Sequence, residues 1–314
     1  TALSLTNCRD AARFFWNDVV NNRTLALGGN SRNEYFIEAS ASEDYVNYKE
    51  GPESCNTNNM LKLTEDLFRM DTQAKYVDFY EQALYNHILS TQHPEHGGYV
   101  YFTSARPRHY RVYSAVNQAM WCCVGSGMEN HGKYGQFIYA HKNDSLYVNL
   151  FIASQLNWQE QGVTVTQNTR FPYEEQTQLT VRTSSPKGFS LLLRHPSWVS
   201  AKGYVVKING EVFVQTSEPQ SYLCIYRTWN DGDIVSIALP MTNSFKQLPY
   251  VSEYIALMHG PILLGARTGS ADLTGLVAGV GRWEHVAAGK LYSLNEAPVL
   301  IGDRASITDS LKVL

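Results

Sequence analysis

Ser145-Leu-Tyr-Val-Asn-Leu-Phe-Ile152 is the stretch on which the fold turns. Leu146, Val148, Leu150 and Ile152 alternate with Ser145, Tyr147, Asn149 and Phe151, a period of two that lays one set of side chains on each face of a strand. Similar runs follow at 178–181, 189–193, 204–208, 222–226 and 234–239, with turn residues between them. Asn209-Gly210 is a strong hairpin signal, because both residues tolerate the positive φ of a two-residue loop, and Asp231-Gly232 marks another turn. The pattern predicts an antiparallel β-sandwich over residues 143–267, ending after an apolar run at 254–264. Residues 268–314 carry weak signals and are expected to form an incomplete or weakly structured extension.

Ahead of that stretch the period is helical. Ala11, Ala12, Phe14, Phe15, Val19 and Val20 recur at helical spacing until Asn21-Asn22. Met60, Leu61, Leu63, Leu67 and Phe68 predict a second helix over 57–70. Tyr76, Val77, Phe79, Tyr80, Ala83, Leu84 and Ile88 predict a third, capped by Asp71 or Thr72, and a further helix is expected over 126–138. Residues 28–52 and 97–121 lack periodicity; loops of this length inside a domain are often functional, and both lead to cysteines. The chain thus reads as a multidomain α plus all-β protein, helical over 1–142 and a sandwich thereafter.

With 314 residues there is room for two domains. A net charge of −3 gives no clustered cation surface for a polyanion, so nucleic acid is not an expected partner. No apolar run approaches the roughly 20 residues that span a bilayer, so the chain is read as soluble and without a membrane partner. Thr1 opens no charged-then-apolar segment, so no secretory leader is expected within these residues, although a longer precursor could carry one; the compartment stays open, periplasmic or secreted in a full-length parent included. Five cysteines form no disulfide framework in a chain of this size.

Glu53 and Cys55, one residue apart, and the adjacent pair Cys122 and Cys123 are candidate metal ligands. Three sulfurs and one oxygen would complete the tetrahedral shell of zinc. Their spacing is not that of zinc-finger pairs, and on spacing and composition alone buried free cysteines are the favoured reading.

The strings Leu27-Gly-Gly-Asn-Ser31, Glu34-Tyr-Phe36, Glu50-Gly-Pro-Glu-Ser-Cys-Asn-Thr-Asn58 and Met120-Trp-Cys-Cys-Val-Gly-Ser-Gly-Met-Glu-Asn-His131 resemble motifs of the β-L-arabinofuranosidases of glycoside hydrolase families 127 and 146, the second more than the first. The likeness extends to residues 106–113 and to His259-Gly-Pro-Ile-Leu263, and covers most of the chain up to about residue 265. It implies an (α/α)6 barrel followed by β-sandwich domains, and Zn2+ held by Glu53, Cys55, Cys122 and Cys123. It further implies a retaining hydrolase that releases terminal β-L-arabinofuranose from plant-type glycans, with Cys122 as nucleophile and Glu34 as general acid/base. Tyr101 is placed beside the sugar by the same likeness, with a core tyrosine as the alternative. His109 and His131 are candidates to bind sugar hydroxyls or to orient a ligand, with a structural histidine as the alternative for each.

Glu38, Glu43 and Asp44 share the polar loop of Glu34, which is singled out only by its motif. Asn56 and Asn58 are candidate caps of the helix expected after Cys55. The family barrel has twelve helices and about five can be drawn here, so the resemblance implies a partial barrel lacking its amino-terminal half. Helices left with an open apolar face are expected to pack on the sandwich, on a second copy as a homo-oligomer, or on a separately supplied amino-terminal segment. A zinc-stapled carbohydrate-binding or structural module, or a glycosidase of the same fold with another sugar, are the alternative functions.

Overall fold

The computed structural model describes residues 2–267, 269–281, 283–297 and 299–311; Thr1 and residues 312–314 of the expected first and third segments lie outside these. It is a mixed helical and sheet protein. The helices are α1 (Ala2–Asn22), α2 (Asp44–Asn47), α3 (Ser54–Met70), α4 (Ala74–Ala83), α5 (Cys122–His131) and α6 (Arg304–Ser310). Two compact units emerge: one from residues 1–70, 79–132 and 243–314, the other from 71–78 and 133–242.

The second unit is the sandwich. One sheet runs in the order Ser221–Trp229, Lys187–His195, Ser145–Val148, Tyr139–Lys142, and the other in the order Ser154–Trp158, Val163–Thr169, Gln176–Thr183, Ile234–Ala238, Val206–Ile208, Glu211–Val212. Their inner faces meet at Trp158 and Phe189, whose rings lie 5.6 Å apart edge to face. Asn209 and Gly210 turn the expected hairpin with φ of 51° and 90°. Asp231-Gly232 joins strands of different sheets rather than a hairpin pair. The sandwich is not wholly antiparallel, because Ser145–Val148 pairs parallel with Lys187–His195. The crossover between those strands passes through three strands of the other sheet, a path that alternation within each run does not reveal.

In the first unit α1 seats Trp16, whose indole donates to Thr64 Oγ1 of α3 at 2.8 Å and whose ring meets Phe79 at 5.9 Å. Trp16 and Val19 are buried, whereas Phe14 and Phe15, expected on the inner stripe, are 75% and 42% exposed. The stripe expected over 76–88 is buried throughout, and α4 runs on into a wider turn at Leu84–Ile88. Gly28, with φ of 94°, passes so close to Ala83 that a Cβ would lie 2.4 Å from its Cα, so no other residue fits there.

A three-stranded antiparallel sheet, Asn243–Leu248, Val251–His259 and Ile262–Leu263, was read in sequence as the end of the sandwich but is grouped with the helices. Asn86 bonds Pro261 O and Leu263 N at 2.8 Å each, and Lys246 Nζ donates to Gln82 Oε1 at 2.7 Å. The described residues beyond 267 are likewise held by tertiary contacts instead of local periodicity. Tyr113 and Ser114 pair in parallel with Val277 and Ala278, Arg106 Nη2 donates to Tyr292 O at 2.6 Å, and Tyr110 Oη donates to Thr274 O at 2.6 Å. Among the described residues no helix is long and apolar enough to cross a membrane.

Candidate metal centre and active site

Irregular backbone assembles one side of the site. Asn33, at φ 57°, turns the chain so that its side chain accepts from the Glu34 amide at 3.0 Å. Asn33 bridges to Pro52, and Glu53 to Phe102. Ser54 N donates to Tyr101 O at 2.9 Å and Thr103 N to Pro52 O at 3.0 Å. Gly51 permits this approach, since a Cβ there would lie 1.9 Å from Thr103 O. These short pairings bring the loop of residues 28–52 against that of 97–121.

The other side is two helix starts. α3 begins at Ser54, not at 57, so Cys55 lies in its first turn; α5 begins at Cys122, not at 126, and stops at His131 instead of 138. Both beginnings were misplaced because neither has a conventional capping residue: Trp121 precedes α5 and contributes no side-chain cap. Asn56 and Asn58 lie inside α3 and do not precede it; Asn58 donates to Glu129 of α5 at 3.3 Å, and Lys62 reaches the same carboxylate at 2.7 Å. The positive dipole end of α5 favours a thiolate at Cys122, its first residue.

Glu53, Cys55, Cys122 and Cys123 each present a ligand atom, all within 4.8 Å of one another. Glu53 Oε1 lies 3.8 Å from Cys122 Sγ and 3.6 Å from Cys123 Sγ, and Cys123 Sγ lies 3.1 Å from Cys55 Sγ. Ligands of one tetrahedral ion with metal–sulfur distances of about 2.3 Å would stand about 3.8 Å apart, so the group can hold a metal with small adjustment. Ser126 Oγ, 3.0 Å from Cys55 Sγ, supports that ligand from behind.

Cys123 is buried and Cys122 is exposed. Hydrogen bonding from the Cys123 thiol, with lesser help from the Tyr101 hydroxyl and Cys55, outweighs burial and holds the Cys122 thiol down to about 5. Burial drives Cys123 the other way. Glu53 is pushed up to about 7 by burial and by the negative charges of Cys122 and Glu34. Such a packing of acidic groups fits a cation better than it fits four protons.

Tyr101 links this group to Glu34. Its hydroxyl donates to Glu34 Oε1 at 2.5 Å and lies 3.3 Å from Cys122 Sγ. Burial, followed by the hydrogen bonds shared with Cys122 and Glu34, raises its pKa and keeps it protonated. The carboxylate and the sulfur therefore flank one hydroxyl. Tyr101 is buried and also touches Glu34 and Cys122.

The two candidate histidines, His131 and His109, each pack on a tyrosine other than Tyr101. His131 closes α5 and stacks on Tyr99 at 5.7 Å, about 13 Å along the helix from Cys122 by the 1.5 Å rise per residue. His109 rests against Tyr110 and hydrogen-bonds the backbone of Ala287, and burial lowers its pKa. His285 is the histidine beside Tyr101, with ring centroids 4.2 Å apart and planes 20° from parallel. Its neighbour Val286 is buried with Tyr101, Phe102 and Cys123. Sequence reading missed both, because residues 268–314 have no periodicity to mark what they cover.

Three family models match the chain in order: the catalytic domain of the family 127 β-L-arabinofuranosidases over residues 5–136, their middle domain over 145–241, and a domain of unknown function over 244–314. The first two are family 127 models, where the motifs alone leaned toward family 146. A non-reducing end β-L-arabinofuranosidase of Bifidobacterium longum subsp. longum is 24% identical over 277 residues, covering 81% of this chain and 41% of that protein. Among solved structures, a family 127 β-L-arabinofuranosidase from Geobacillus stearothermophilus T6 superposes with a TM-score of 0.67 at 24% identity, over 81% of this chain and 42% of the other. A second family 127 β-arabinofuranosidase gives 0.65 at 23% identity, over 79% and 42%. The chain spans about two fifths of the length of these relatives.

Proposed function

The chain belongs to the β-L-arabinofuranosidases of glycoside hydrolase family 127, and we propose that it carries the reacting groups of a retaining hydrolase for terminal β-L-arabinofuranosides. The observation that carries the reading is the triad of Glu34, Tyr101 and Cys122. One hydroxyl touches both the carboxylate and the exposed sulfur, so those two atoms lie within about 6 Å of each other. That supports retention, for which carboxylates stand about 5–5.5 Å apart, over inversion, which needs about 6.5–9.5 Å for an intervening water.

The Cys122 thiolate attacks the anomeric carbon while Glu34, protonated, gives its proton to the departing glycosidic oxygen. A thioglycosyl bond to Cys122 forms as the C–O bond breaks. Glu34, now a carboxylate, then takes a proton from water, the water oxygen bonds to the anomeric carbon, and the sulfur leaves as thiolate. Two inversions restore the configuration. Tyr101 holds Glu34 and Cys122 in register by donating to the carboxylate. Zn2+ bound by Glu53, Cys55, Cys122 and Cys123 would keep the nucleophile deprotonated at neutral pH. The helical unit is read as part of an (α/α)6 barrel, with the substrate an arabinose-containing glycan.

The test is hydrolysis of β-L-arabinofuranosides by the protein carrying this chain, with the first-formed anomer read by NMR. Cys122→Ser is expected to abolish turnover of every substrate. Glu34→Gln is expected to slow alkyl glycosides about 100-fold or more while sparing leaving groups that need no proton. Equal loss on both substrate types, or an inverted product, would overturn the assignment.

A further inference from the structure

Within the stretch 244–314, which matches a domain of unknown function, residues 283–287 run past Tyr101. His285 stacks on Tyr101, and Trp283 lies beyond it, centroids 6.3 Å apart and planes within 25°. Trp121, which directly precedes the cysteine pair, meets His285 edge-on at 5.1 Å. The rings form a ladder: Tyr101 at 7% exposure touches the reacting groups, His285 at 4% is the middle rung, and Trp283 at 70% faces solvent. Trp283 is thus the solvent-facing end of an otherwise buried stack.

The segment is also fixed in position. It is tied to the loop that carries Tyr101 by the Tyr113–Val277 pairing, by Gly289 N donating to Tyr110 Oη at 2.7 Å, and by Arg108 lying 3.9 Å over the Tyr292 ring and 3.3 Å from Glu296. Ala278 and Ala287, which precede and follow Trp283 and His285 in the chain, are buried with Val112. A platform held this way loses little freedom when a ligand stacks on it.

We infer that Trp283 is a specificity-determining platform for the leaving-group sugar of the substrate. The inference rests on the hydrolase reading above. In an enzyme that removes a terminal sugar, that sugar occupies the reacting centre and everything further out belongs to the leaving group. The ladder runs from that centre to solvent, so its outer rung meets the leaving group. An aromatic face suits the C–H face of a sugar ring, and so selects glycosides with a sugar leaving group over those with a small alkyl group.

The experiment compares kcat/KM for a β-L-arabinofuranosyl arabinose disaccharide with that for methyl β-L-arabinofuranoside, in the unmodified protein and in Trp283→Ala and Trp283→Phe. The disaccharide-to-methyl ratio should fall about tenfold in Trp283→Ala and be largely kept in Trp283→Phe. An unchanged ratio in Trp283→Ala, with both substrates hydrolysed, overturns the platform and leaves the hydrolase reading intact. If the unmodified protein hydrolyses neither substrate, the hydrolase reading fails, and calorimetric titration with the same disaccharide decides the platform alone. Binding weakened about tenfold by Trp283→Ala would then uphold it, and equal binding or none would overturn it.

Discussion

The sandwich and the region around Glu53 bury polar groups in opposite ways. In the sandwich, the strand Val163–Thr169 buries Val163, Val165 and Gln167 in alternation with partly buried or exposed residues and gives its backbone to neighbouring strands on both sides. Even its fully buried cation is matched, with Arg194 meeting Asp78 Oδ1 and Asn149 O at 2.7 Å each. Around Glu53 a buried carboxylate is instead packed against three thiols, all of which become anions on losing a proton. One region is arranged for its own stability. The other holds a charge arrangement that a bound cation would relieve, as sites built for chemistry commonly do.

The contrast is most sharply broken or upheld by metal removal. Structural zinc sites contribute roughly 10–16 kcal/mol of apparent binding free energy, so chelation is expected to loosen the first turns of α3 and α5 far more than any strand. Hydrogen exchange should rise at 54–58 and 122–126 while 163–169 and 187–195 stay protected. Equal loosening in both regions would show that the cluster has no special dependence on a cation.

A complementary substitution strikes the sandwich. Trp229 is fully buried, stacks on Phe189 at 5.6 Å and donates from its indole to Phe189 O at 3.1 Å. Trp229→Ala should cost about 3–5 kcal/mol in denaturant unfolding, with metal content per folded molecule unchanged.

His87 gives a pH signature to the helical unit. It is fully buried, with Nδ1 2.9 Å from Thr57 Oγ1, and burial lowers its pKa to about 3. Between the ordinary histidine value of about 6.5 and that figure the unfolded chain binds the extra proton, so stability is complete above the window and falls as pH drops through it, by up to about 1.4 kcal/mol per pH unit. The difference in unfolding free energy between the parent and His87→Gln, followed from pH 7 to 4, isolates this slope; a pH-independent difference would refute it.

The smallest effect is expected at Phe14, on the outer side of α1. Phe14→Ser should change monomer stability by no more than about 0.5 kcal/mol. A larger loss that depends on protein concentration in sedimentation would show that this face packs on a second copy.

How much could be read in advance followed the same division. The strands 176–183, 187–195, 206–208, 221–229 and 234–238 and the Asn209-Gly210 hairpin were legible because alternation and turn chemistry are local properties, whereas 139–142, 154–158 and 163–169 were not singled out and the run 145–152 is a strand only to Val148. The apolar stripe of residues 76–88 was legible for the same reason. Helix starts at Ser54 and Cys122 were not, since the residues that would cap a helix were exchanged for those that meet at the site.

By itself the sequence determined which residue types could carry chemistry: Glu34, Glu53, Cys55, Cys122 and Cys123 stand in motifs whose family was recognisable without any coordinates. Tertiary structure alone decided that their atoms converge, that Cys122 is exposed while Cys123 is buried, and that Tyr101 bridges Glu34 to the sulfur. It alone set His285, 162 residues beyond the cysteine pair as 285 is from 123, against Tyr101. The physical reason is that side-chain periodicity reports only the face a residue turns within its own helix or strand. Contacts between loops rest on single hydrogen bonds and ring stackings, such as Ser54 to Tyr101 and Tyr101 to His285, which leave no repeat in the sequence.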